Sequence, residues 1–157
     1  MKVPIEPCYR MFGMKVEQIR TALGWRQEDL AKKVHNLGAD TLKVMLTNTV
    51  PTATQATRSE LTEIASGNGY TLGGTQATIS SSVQTTGTYK LVLADVVFTA
   101  SGGTIGAFRY TDLYNDTPTS PADPLIAWWD YGSSITLQDT ETFTVDFSAS
   151  NGVMTLS

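Results

Sequence analysis

The spacing of the apolar residues changes abruptly at Gly38, and that change limits what the chain can fold into. Before it the period is helical. Val16, Ile19 and Leu23 recur at i, i+3, i+7, and Leu30, Val34 and Leu37 at i, i+4, i+7. Helix formers fill the gaps (Glu17, Gln18, Arg20, Gln27, Glu28, Ala31, Lys32). Glu28 and Asp29 stand where the second helix would begin and Lys32 and Lys33 near its end, as the helix dipole favours. Asn36 and Gly38 are stop signals.

After Gly38 the chain is rich in Thr, Ser, Gly, Val, Tyr and Phe, and the period becomes two. Strands are expected in TLKVMLTN (41–48), TQATISSS (75–82) and TYKLVLADVVFTA (88–100, two strands or one bent one). Further strands are expected in IGAFRYTDLYN (105–115), PLIAWWDYG (124–132), SSITL (133–137), ETFTVDFSA (141–149) and GVMTL (152–156). Turn signals such as GNG, SGG, NDTPTSPADP and SNG separate them. One short helix is expected in TRSELTEIA (57–65), where Thr57 and Glu60 have capping-box spacing. The pattern predicts a mainly β fold: an antiparallel, jelly-roll-like β-sandwich over 38–157 with a short helical amino-terminal arm over 1–37.

Charge divides near the same place. Residues 1–43 hold eight Lys and Arg against five acids, a net of +3; residues 44–157 hold three against ten, a net of −7. A body so poor in bases is ill suited to gripping a phosphate backbone. One cysteine, Cys8, excludes an internal disulfide framework and a Cys-based zinc site, and one histidine, His35, excludes a multi-histidine metal site. No cofactor is expected. No apolar run approaches the roughly 18 residues of a membrane span, and Lys2 is followed by Pro and polar residues rather than the apolar segment of a signal peptide. The expected setting is therefore aqueous, with no membrane partner.

MKVEQIRTAL (14–23) with GWRQEDLAKKV (24–34) resembles the first two helices of a Cro/repressor-type helix-turn-helix. That resemblance implies a DNA-binding regulator. Such a domain also needs a third helix for the major groove, and HNLGADTLKVMLTN instead turns to a strand. Specific nucleic-acid binding is not expected, and the apolar stripe of 14–37 is read as packing on the body or on another subunit.

A second resemblance covers roughly residues 33–157. KVHNLGADTLKVMLTN, LTEIASGNGYTLGG, YKLVLADVVFTASGGTIGAFRYTDLYND, PLIAWWDYGSSITL and ETFTVDFSASNGVMTLS resemble, in order, a family of small bacteriophage virion structural proteins. The resemblance implies capsid decoration or another accessory place on the particle. The partners it suggests are further copies of this chain, as a homo-oligomer and by capsid geometry a trimer, and the major capsid protein or another virion protein. The runner-up is a tail or fibre component that touches the host surface.

Enzyme chemistry is not expected. His35 has no Ser or Cys nucleophile motif near it, and SGGTIG (101–106) lacks the Lys and following helix of a phosphate-binding loop. Asp130 and Asp146 fall at alternating polar positions, which a solvated face explains. The aromatic residues are the more informative group. Phe108, Tyr110 and Tyr114 are expected on one face of their strand, and one of Trp128 and Trp129 must turn away from the core. Such residues anchor subunit interfaces or stack on sugars. The candidate interface is therefore Ile19, Leu23, Trp25, Leu30 and Val34 on the arm, with Trp128, Trp129 and Tyr131 on the body.

Overall fold

The computed structural model of the protein describes residues 2–4 and 37–156. Ten strands run through them: β1 (Lys2–Pro4), β2 (Leu42–Thr47), β3 (Thr75–Ala77), β4 (Ile79–Thr85), β5 (Thr88–Leu93), β6 (Val96–Thr99), β7 (Ile105–Asn115), β8 (Leu125–Leu137), β9 (Thr142–Asp146) and β10 (Met154–Leu156). They form three sheets, ordered β1-β9-β6, β10-β5-β4 and β3-β2-β7-β8. Every pairing is antiparallel except that of β1 with β9. The fold is mainly β, as expected. The arm helices, and with them Ile19, Leu23, Trp25, Leu30 and Val34, lie outside the described residues. Within the segment expected to be a helical arm, Lys2–Pro4 is instead a strand laid along β9.

Alternation places the core. Leu42, Val44 and Leu46 of β2, Tyr89, Leu91 and Leu93 of β5, Val96 and Phe98 of β6, Leu113 of β7, and Phe143 and Val145 of β9 point to one buried cluster shared by all three sheets. The layering is that of a β-sandwich-like body. Ring contacts are edge-on, as between Phe108 and Phe143 with centroids 5.0 Å apart.

The hairpin of β4 and β5 closes through the two-residue turn Thr86–Gly87, both with positive φ (49° and 87°), the geometry that matches strand twist. Gly74 is required by contact. Its φ is +73°, and a Cβ there would collide with the Val44 carbonyl oxygen.

Three sequence expectations need correction. The helix over 57–65 is one 3-10 turn, Arg58–Glu60. Glu60 Oε2 does accept from the backbone of Thr57 (2.9 Å), but extended backbone at Leu61 ends the turn. The strand over 75–82 breaks at Thr78 into β3 and β4, which belong to different sheets. Phe108 does not share a face with Tyr110 and Tyr114. Irregular register between Phe108 and Tyr110 shifts the alternation, so Phe108 joins the shared core while Tyr114 belongs to a second cluster.

Candidate functional site

The four-stranded sheet is covered on both faces. Its inner face belongs to the shared core. Its outer face carries Lys43, Met45 and Thr47 of β2, Tyr110, Asp112 and Tyr114 of β7, and Trp128 and Asp130 of β8, aligned by register: Thr47 against Tyr110, Met45 against Asp112, Lys43 against Tyr114. Met45, Leu61 and Tyr114 form a small second cluster there, with Leu125 packed against it.

The segment between β2 and β3 runs along the edge of β2, where Glu63 bridges Thr47; Tyr70 and Ile64 pack into the shared core, and Leu61 reaches over to this outer face. Glu63 is the hub. Its Oε1 accepts from the Tyr70 hydroxyl (2.6 Å) and from Gly73 N (2.7 Å), and its Oε2 from Arg58 (2.7 Å). The Tyr70 hydroxyl in turn accepts from Leu46 N (3.0 Å), and Ile64 N donates to the Leu46 carbonyl (3.1 Å), so the segment is fastened to β2. The Tyr114 hydroxyl donates to the Gly73 carbonyl (2.6 Å), and the Arg58 guanidinium stands 5.5 Å from the Tyr114 ring centroid. Arg58 also reaches Asp123 at 3.5 Å. Burial works against the charge on Arg58, but the Glu63 hydrogen bond and the acids around it hold its pKa above the ordinary value. Burial pushes the Tyr114 phenol up to about 12 and the Tyr70 phenol well above its usual range, so both remain donors.

Toward β8 the face becomes an aromatic and charged rim. Tyr110 and Trp128 meet edge-on with centroids 5.9 Å apart, and the Arg109 guanidinium lies 5.3 Å from the Tyr110 ring centroid. Arg109 grips Asp130 with two bonds, Nε to Oδ1 at 2.7 Å and NH2 to Oδ2 at 2.8 Å. Asp130 Oδ1 also accepts from Gly132 N (2.7 Å). The Arg109 bond, foremost, holds the Asp130 carboxyl below the usual range. Asp130 thus has a specific partner, where the sequence suggested only solvation.

Asp112 stands apart. It is fully buried, with 0% of its surface exposed, and among the described residues neither carboxyl oxygen has a hydrogen-bond partner. Burial alone pushes its pKa up to about 8 from the ordinary 3.8. Sequence reasoning gave Asp112 no place of its own. The signal for more was present: an acid in the apolar half of an eleven-residue strand, between Thr111 and Leu113.

The three body residues singled out from sequence divide between the faces. Trp129 and Tyr131 pack against the shared core, meeting Phe147 (5.4 Å) and Phe143 (5.8 Å) edge-on. Trp128 is turned to the outer face, against Tyr110. All three are half-buried. The two glycine motifs also have local roles. Gly102 N in SGGTIG donates to Asp139 Oδ1 (2.8 Å), and Asn68 in GNG donates through Nδ2 to the Thr104 carbonyl (2.7 Å). Among the described residues no group of three or more His, Cys, Asp or Glu is placed to hold a metal ion, and no helix is long and apolar enough to cross a membrane.

Compared with protein-family models, curated proteins and solved structures, the chain matches none.

Proposed function

We propose that this chain is a non-enzymatic structural protein of a bacteriophage virion, a jelly-roll-like decoration subunit that binds the head as a homo-oligomer, most simply a trimer. The reading rests first on the ordered sequence resemblance over residues 33–157. The observation that carries it in the fold is the rim along β8. There a half-buried Trp128 lies against Tyr110, with Arg109 beside that ring and anchored by Asp130. Trp, Tyr and Arg are the residues that anchor protein interfaces, and among the described residues β8 has a strand neighbour on one side only. Such a subunit adds contact area across capsomer junctions and opposes the pressure of packaged DNA. Its partners are further copies of itself and the major capsid protein or another virion protein.

Sedimentation equilibrium of the full chain at micromolar concentration tests this, together with analysis of purified particles. An oligomer that Trp128→Ala weakens at least tenfold, and a chain present on particles, is the expected outcome. A monomer that is also absent from particles would remove the reading.

A further inference from the structure

A buried acid without a partner is rare because the charged form loses its hydration and gains nothing in return. Asp112 is such an acid, at the middle of the outer sheet face. Across the strands it faces Met45 and Trp128; along its own strand Tyr110 and Tyr114 flank it. Water can reach it only if those side chains part.

The charged groups on the surrounding elements are already engaged. Lys43 on β2 bridges to Asp116 at 2.8 Å. Arg109, beside it on β7, is held by Asp130 of β8. Arg58, in the covering segment, is held by Glu63 and Asp123. Tyr110 and Tyr114 are phenols. Among the described residues no cation is therefore left beside Asp112 to stabilise a carboxylate, and the group is accommodated as a neutral acid.

We infer that Asp112 is a proton-operated latch: protonated, it lies dry under the closed outer face, and losing its proton forces the face between Met45 and Trp128 to open and admit water. The part of the β2–β3 segment that lies over this face is Leu61, packed with Met45 and Tyr114, and the Tyr114 hydroxyl ties the segment down at Gly73. Burial raises the folded-state pKa, so the folded chain keeps a proton that the unfolded chain releases near 4. Closure is strongest below the unfolded value, weakens as pH rises through the interval, and is fully weakened above about 8. The device acts within one subunit and does not depend on the oligomeric reading.

The test uses the full chain and Asp112→Asn, which keeps the shape and removes the titration. Carboxyl carbon NMR, assigned by the signal lost in D112N, should show Asp112 titrating several pH units above an ordinary Asp. Relative to D112N, the wild-type unfolding equilibrium should shift toward the unfolded state by about tenfold per pH unit between roughly pH 5 and pH 7. Exchange of the Leu61 amide, which bonds the Arg58 carbonyl, should accelerate with pH beyond the usual chemical dependence in the wild type and not in D112N. An Asp112 signal titrating near 4, or equal pH slopes for the two proteins, would overturn the inference. If D112N does not fold, the wild-type titration and Leu61 exchange decide it.

Discussion

The two hydrophobic clusters of the body lie on opposite faces of one sheet and are held by different forces. The shared core takes side chains from all three sheets and is almost wholly apolar. The outer cluster has three buried residues, and its cover is tied down by Tyr114 and by the Arg58–Glu63 pair, which Tyr70 links to the shared core. The first needs volume and alternation, and tolerates changes of pH. The second needs particular partners, contains an acid with none, and responds to a single proton. On the outer face, then, polar bonding stands in for missing apolar area, and a function that requires movement or a partner is more easily built there.

The sharpest way to separate the two is to damage each in turn. Phe108→Ala empties part of the shared core beside Phe143 and should cost about 3–5 kcal/mol of unfolding free energy in urea titration, with the whole body unfolding together. Glu63→Gln should cost less, about 2 kcal/mol, because Arg58 is partly exposed while Tyr70 and Gly73 lose a charged acceptor. Its mark should be local: proteolytic cleavage between β2 and β3 should speed up before the body melts. Equal protection of that segment in wild type and E63Q would merge the two clusters into one cooperative unit.

Charge at the rim should matter least for folding. Arg109→Ala should leave the stability of the monomer almost unchanged, since both partners of its ion pair are more than a third exposed, while weakening the oligomer more. The sign of its pH effect is opposite to that of Asp112. The Asp130 carboxyl is held below its ordinary value, so this pair contributes above that value and is lost as pH falls through the lowered one. Acid titration of R109A should therefore show a slightly smaller loss of stability below pH 4 than wild type.

The shared core was legible because period two is a local property. Leu42, Val44 and Leu46 announce their face within six residues, and β7 runs over the same residues, 105–115, that its alternation marks. The outer face was not legible. Glu63, Tyr70, Gly73 and Tyr114 are spread over 52 positions and meet only because the chain folds back. Thr57 and Glu60 carried a true capping signal, but one turn satisfied it, and the backbone becomes extended at Leu61. Phe108 was misplaced because a strand irregularity two residues on shifts the alternation, and no local signal marks it. Asp112 was visible as an acid among apolar neighbours, yet its lack of a partner is a property of the packed sheet alone.

Native-state hydrogen exchange at residue resolution tests the difference between the faces most directly. The amides of Leu61 and Leu125, which bond the Arg58 and Ala56 carbonyls, report the outer cover. Those of Leu91 and Val145 report strands lining the shared core. The outer pair should exchange through an opening at least 2 kcal/mol easier than global unfolding, while the inner pair exchanges only when the whole body unfolds. A single opening free energy shared by all four amides would contradict the division of the molecule into an apolar core and a separately latched face.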